Sequence, residues 1–340
     1  ECFRALTTPE AVTLVSSAGK VRASVPAGSK ATADMVQTDE AFWSVFSFRF
    51  LSGAGFTRAD CDAGLPRAVL SATIARQLFG TTDVVGHTVQ LNYIDYTVAG
   101  VVADVSMLAT AAYAQIWVSY TAADAESLSW QDDTMGPMHA VILAHSSADF
   151  DAIRKETELL RQKYNDGLRD VEIFYRGQPD TQLAYLYRRW YAEPDVPGVM
   201  LRYGIVIAIL LLVPAVNLSG MTLSRMRRRM AEIGVRKAFG ATGGELIRQV
   251  FFENFVLTLL AGVVGLALSY AATFLLNDFL FSNSTNAYLS GETALTPGML
   301  LSPWAFIAAF AFCLLMNVLS AGIPAWRASR MNITDAINQR

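Results

Sequence analysis

Few residues in this chain stand at spacings that make or break bonds. The three histidines, His87, His139 and His145, do not fall at metal-ligand spacings. Two of them flank a strand-like run, Ala140 to Leu143, where structural or exposed histidines are expected. Ser71 lies outside any G-x-S-x-G elbow. Asp132 and Asp133 are neighbours in a loop-like stretch, the pattern of solvated charge. A phosphate loop needs G-x-x-x-x-G-K-[ST]; no lysine follows Gly243 or Gly244, and the string occurs nowhere. The residues therefore predict no catalytic group, no directly bound cofactor and no metal site.

The densest chemical feature is basic. Between residues 224 and 250 stand Arg225, Arg227, Arg228, Arg229, Arg236, Lys237 and Arg248. Within that stretch Met226, Met230 and Ile233 share one helical face, and Glu232 precedes Arg236 by four residues, the favourable order for an ion pair on a helix. Gly240 fits a helix stop, with Gly243 and Gly244 as turn residues before the next helix. The pattern predicts a short amphipathic helix. Its arginines could rest on anionic headgroups or on a protein partner, and composition favours neither.

Three apolar runs surround this basic stretch. A membrane-crossing helix needs about 20 mostly apolar residues, and residues 203–223, 254–276 and 304–326 meet that test. Lysine and arginine in short loops favour the cytoplasm. The loop at 224–250 is rich in them, the loop from Asn277 to Pro303 has none, and the tail carries Arg327, Arg330 and Arg340. The basic loop and the C-terminus are thus expected in the cytoplasm, with residues 1–197 outside. That topology leads us to expect a further span upstream of Glu1, giving four in all. Ala261, Gly265 and Ser269 recur every four residues, a spacing that lets membrane helices approach closely.

Residues 1–197 read as a water-exposed α+β domain, and residues 198–340 as an all-α membrane domain. Strand-like runs include 68–71, 88–91, 96–102 and 140–143; helix-like segments span 71–79 and 150–164. The chain as a whole is 17% charged, against about 25% in soluble domains. The net charge of −3 says little about partners, but a pI near 5.7 argues against nucleic-acid binding. Of three cysteines, Cys313 lies in an apolar run, while Cys2 and Cys61 could be bridged or free. Just before the first apolar run, a segment at about 181–197 carries Leu183, Leu186, Tyr187, Arg188 and Trp190. Its aromatic and arginine content suits a membrane interface, as a stalk or as a lever between the outer domain and the span.

The string from Glu232 to Thr242 (EIGVRKAFGAT) resembles the cytoplasmic loop of MacB/FtsX-type ABC transporter permeases. Residues 42–53, 68–80, 86–91 and 96–104 are similar, in order, to landmarks of the MacB-type periplasmic core domain, and residues 323–337 to the end of an FtsX-like permease domain. The resemblance implies that Met230, Glu232, Ile233, Gly234, Val235, Arg236, Lys237, Ala238, Phe239, Gly240 and Ala241 form a coupling helix that sits on a cytoplasmic ATPase. ATP and magnesium would be used by that separate partner. The resemblance also implies a second permease subunit, as homodimer or heterodimer, and a bacterial inner-membrane location with residues 1–197 in the periplasm. A periplasmic adaptor or an outer-membrane component is a further candidate partner, beside the lipid bilayer itself. The function implied is mechanotransmission for export of a drug, peptide or lipoprotein. The alternative is an FtsX-like signalling adaptor that regulates cell-wall hydrolases; the size of the outer domain favours export.

Overall fold

The computed structural model describes residues 2–26, 28–107, 109–122, 138–189, 192–213, 216, 235, 239–240, 242–276, 304 and 306–316. Among them the chain divides into two compact units between Pro194 and Asp195.

The first unit is mixed α and β, as its alternating signals predict. Its strands are β1 (Ala11–Ser16), β2 (Gly19–Ser24), β3 (Lys30–Thr38), β4 (Phe50–Gly53), β5 (Arg67–Ser71), β6 (Thr88–Leu91), β7 (Ile94–Val102), β8 (Ile116–Ser119) and β9 (Met138–Leu143). Its helices are α1 (Phe42–Val45), α2 (Arg58–Asp62), α3 (Ala72–Phe79), α4 (Phe150–Asn165) and α5 (Gln182–Tyr187). Strand pairing runs β2-β6-β7-β5-β8-β3, and β3 pairs back to β2, so the ladder closes into a circuit. Closure leaves few edges to attract other strands. β1 and then β9 extend from β3, and β4 attaches to β7. Gly53 and Gly100 allow that last attachment: a Cβ on Gly53 would lie 2.2 Å from the Ala99 carbonyl oxygen, and one on Gly100 would lie 2.6 Å from that of Ala54.

Side chains alternate across this ladder with the period of two that a strand imposes. Ala68, Leu70, Ile116 and Val118 join one core with Ile74 and Leu78 of α3, while Val69 and Trp117 join the other. The second core is aromatic. Phe42, Trp43, Phe48 and Trp117 meet at centroid distances of 5.2–6.3 Å, mostly edge to face, the arrangement that ring quadrupoles favour. Fully burying each such side chain contributes roughly 1.5–3 kcal/mol. The run at 42–53 supplies most of these rings.

Ser71 ends β5 and caps α3, accepting from the Ile74 N–H, so its role is structural. His139 lies within β9, its Nε2 3.4 Å from Ser17 Oγ, and His145 follows that strand beside Glu10. Asp132 and Asp133 fall outside the described residues. Cys61 is a free, buried thiol whose sulfur accepts from Ser119 Oγ, so the bridged alternative is not formed. Burial pushes that thiol's pKa up.

Two carboxylates tie the N-terminal segment down. Asp39, almost fully buried, accepts from Thr13 Oγ1 (2.5 Å), Leu14 N–H (3.1 Å) and Arg4 Nη2 (2.9 Å). Glu156 on α4 accepts from the N–H and hydroxyl of Thr7 (both 2.7 Å) and the N–H of Thr8 (3.1 Å).

The second unit contains α6 (Val196–Val213), α7 (Gly243–Leu275) and the shorter α8 (Phe306–Met316). Two stretches, Val196–Val213 and Phe251–Thr273, are long and apolar enough to cross a membrane. The first begins earlier than the expected residue 203. For the third expected span, only residue 304 and the 11-residue α8 are described. Residues 243–250, expected in the loop, are helical and continuous with the second span. Gly243 and Gly244 are therefore helix-starting residues, not turn residues. The first turn of a helix has no internal partners for its N–H groups, which makes it tolerant of glycine once it is capped.

Candidate functional site

The elements that could carry motion are the neck before α6, the turn before α7 and the packed faces of the apolar helices. The neck begins with α5, capped by Thr181, whose Oγ1 accepts from the Ala184 N–H at 3.2 Å. Leu183 and Leu186 are exposed, Tyr187 is half-buried, and Trp190 lies outside the described residues. Arg188 turns inward. Its Nε and Nη2 donate to the two oxygens of Asp180, and its Nη1 and Nη2 also donate to the carbonyls of Ala192 and Arg176. Sequence reasoning placed Arg188 in a stalk suited to a membrane interface; the structure gives it a carboxylate eight residues back. A bidentate arginine–carboxylate pair fixes direction as well as distance. The hydrogen bonds that Arg188 donates to Asp180 raise the arginine's pKa further.

Asp195 then opens α6, its Oδ1 accepting from the Gly198 N–H at 3.0 Å. Aspartate at this position satisfies an otherwise unpaired N–H and suits the positive end of the helix dipole. Nothing in the apolar periodicity singled out Asp180 or Asp195.

Of the expected coupling helix, Val235, Phe239 and Gly240 are described. Met230, Glu232, Ile233, Gly234, Arg236, Lys237, Ala238 and Ala241 lie outside the described residues. Val235 is helical and its carbonyl accepts from the Phe239 N–H at 3.1 Å, one helical turn. Gly240 follows with φ +93°, a left-handed conformation that stops a helix. Phe239 is 89% exposed, which leaves a large apolar ring in reach of another surface. Thr242 and Glu245 then start α7 reciprocally. The Thr242 N–H donates to Glu245 Oε2 (2.9 Å) and the Glu245 N–H to Thr242 Oγ1 (3.4 Å). These bonds, the Thr242 backbone N–H foremost, hold the Glu245 pKa below its ordinary value. The Thr-x-x-Glu spacing was the sequence signal for this box.

Ala261, Gly265 and Ser269 are all exposed, and nothing lies within 4 Å of a Cβ placed on Gly265. The face of α7 that packs on α8 is a neighbouring one. A Cβ on Gly262 would meet Phe310 Cδ2 at 3.4 Å, and the Phe255 and Phe310 rings are 6.5 Å apart. Among the described residues the spaced small residues remain open along the helix.

Comparisons with known proteins agree with this division. Residues 3–160 match the family model of the MacB-like periplasmic core domain, and residues 204–333 that of the FtsX-like permease C-terminal domain. The pyoverdine export ATP-binding/permease protein PvdT of Pseudomonas aeruginosa is 24% identical over 87% of this chain and 41% of its own length. The macrolide export ATP-binding/permease protein MacB of Chromobacterium violaceum is 26% identical over 90% of this chain and 43% of its own. The ABC transporter permease YknZ of Bacillus subtilis is 25% identical over 88% of this chain and 68% of its own. The chain thus spans about two fifths of PvdT and MacB. Its two matched domains, in this order over most of its length, place the chain in the family of MacB/FtsX-type ABC transporter permeases.

Proposed function

We propose that this chain is the permease part of an ATP-driven exporter in which the outer domain, not a channel through the spans, handles the cargo. ATP hydrolysis belongs to an ABC ATPase at the cytoplasmic face. PvdT and MacB are named both ATP-binding and permease, whereas YknZ is named a permease; in this reading the ATPase works as a separate partner subunit. It grips the segment from Met230 to Ala241, with Phe239 as an apolar contact. Residues 1–194 stand on the far side of a bacterial inner membrane, the C-terminus stays in the cytoplasm, and two permease chains work as a pair. The export role follows the names of PvdT and MacB, and their two cargoes differ, so the cargo here is a drug-like molecule, peptide or lipoprotein.

The observation that carries this reading is the neck. A permease that transmits motion needs a stiff connection between span and outer domain. Here a bidentate, enclosed ion pair closes the neck a few residues before a capped helix long enough to cross the membrane. Such a pair resists bending because opening it strands two charges.

The test is reconstitution with the ATPase in proteoliposomes. Glu232→Arg is expected to abolish cargo-stimulated ATP hydrolysis while membrane insertion is unchanged. Single cysteines at Arg236 and His87 are expected to label from opposite sides. Labelling from one side, or normal coupling in the Glu232→Arg variant, would refute the proposal. A complex that moves no cargo but switches on a cell-wall hydrolase would make the chain a signalling adaptor instead.

A further inference from the structure

The outer domain contains a continuous groove. Its main part is a cleft of about 880 Å³ between β1 and β9 on one side and residues 178–185 on the other. A smaller cleft of about 320 Å³ adjoins it. The two share Ile142, Leu143, Pro179, Asp180 and Gln182, so they run on from one another along β9. Ligand sites of small molecules usually measure about 300–1,000 Å³ and combine apolar walls with a few fixed polar groups.

The main cleft has that mixture. Phe3, Phe46 and Tyr185 supply rings, and Ser17, Gln178 and Gln182 supply hydrogen-bonding ends. The walls are well supported. Phe46 packs on Phe42 of the aromatic core at 4.8 Å, Phe3 stacks on Tyr175 at 5.2 Å, and β9 is paired to β1 over six residues. The lining offers little charge. Among the described residues Asp180 is its one carboxylate, and both its oxygens are taken by Arg188. Among the described residues no lysine or arginine lines the main cleft, and His139 is its one imidazole. A charged ligand would lose its hydration there without gaining a counter-ion, which is costly. An uncharged ligand with apolar faces and hydrogen-bonding edges loses little and gains ring contacts.

We infer that this cleft is a binding site for an uncharged, drug-sized amphipathic molecule, held between the β1–β9 pair and the neck segment 178–185. The inference rests on the transport reading in that it gives a drug-like cargo a place in the outer domain, but binding is measured without the ATPase, so the two can fail separately. Because Asp180 and Gln182 belong to both the cleft wall and the neck, occupancy steadies the segment that Arg188 anchors.

The experiment uses the full chain in lipid nanodiscs, dialysed to equilibrium against tritiated progesterone, with empty discs subtracted. Saturable binding is expected. Ser17→Trp fills the mouth and Tyr185→Ala removes a wall, and each is expected to weaken binding about tenfold or more, roughly 1.4 kcal/mol per decade. Both positions are exposed, so melting temperatures should hold; if one variant fails to fold, the other decides. Tyr93→Ala, exposed and not on the lining, should bind as wild type. Decanoate and decyltrimethylammonium should compete about tenfold less well or worse. Binding no greater than in empty discs, equal binding in the folded cleft variants, or preference for either charged probe would overturn the inference.

Discussion

Arg188 and Asp180 form an ion pair whose side chains are only 9% and 8% exposed, with a 2.8 Å bond from Nη2 to Oδ1. The pair closes a loop that begins at residue 176, whose carbonyl the same guanidinium also holds. One side chain thus holds three partners within the first unit, and that hold depends on the side chain keeping its counter-charge.

Asp180→Ala should open the neck. Removing one partner of an enclosed pair leaves a desolvated charge, at a cost of about 2–4 kcal/mol. Arg188 and Arg189 would then become trypsin sites. Limited proteolysis should cut the variant after these residues much faster than wild type, with a lower melting temperature for the outer domain. An unchanged cleavage rate would show that the pair is not what holds the neck. Arg188→Lys should rescue only in part, because lysine cannot make the two parallel bonds.

Glu156 makes a pH-dependent contribution of opposite location, at the N-terminal segment. Partial burial pulls its pKa upward, but the bonds from Thr8 and Thr7 outweigh it and bring the value to about 2. A carboxylate whose folded pKa is depressed stabilises the fold above its unfolded pKa and loses that contribution as pH falls towards the folded one. The contribution is thus full above about pH 5 and fades towards pH 2. The site faces solvent, so screening trims it to about 1 kcal/mol. Glu156→Gln should lower the melting temperature at pH 7 and match wild type near pH 2; a constant difference between these pH values would exclude the carboxylate as the cause.

Much of this was legible in the sequence where the signal is local. β6 falls on the expected residues, and α3 and α4 differ from expectation by a residue at one end, because apolar periodicity and nearby turn residues define them. β3 was not legible. It buries Asp34 and Thr38 beside alanines, and such a strand is specified by partners such as Lys20 and Tyr113 that only the fold brings close. The same holds for Arg188: its type and position suggested an interface, and the carboxylate that captures it carried no periodic mark. The coupling segment was readable as a motif, and what the structure adds is its end, the stop at Gly240 and the capped start of α7.

That junction makes its own prediction. Thr242→Ala removes the hydroxyl that caps α7 and should cost about 1 kcal/mol of helix stability. Gly240→Ala places a Cβ where φ is +93°, adding about 1–2 kcal/mol of strain. Thr242→Ala leaves the residues proposed to touch the ATPase intact, whereas Gly240→Ala changes one of them. Hydrogen exchange should rise at the N–H groups of Glu245 and its neighbours in Thr242→Ala while the apolar part of α7 stays protected. Equal exchange with wild type would mean that the box does not set the start of the helix.

Gly262 and Gly265 separate packing inside one chain from packing between chains. A Cβ fits against Phe310 at 3.4 Å, so Gly262→Ala should be nearly neutral, but leucine there must displace the ring or the helix, at about 1–3 kcal/mol. Gly265→Leu meets nothing among the described residues and should leave the monomer's melting temperature in detergent unchanged. If the open stripe of Ala261, Gly265 and Ser269 is the seam between two permeases, Gly265→Leu should instead reduce the dimer fraction, which glutaraldehyde cross-linking in nanodiscs would read. Loss of monomer stability in Gly265→Leu would place a neighbour on that face within the chain, and loss of neither would free the stripe from any packing role.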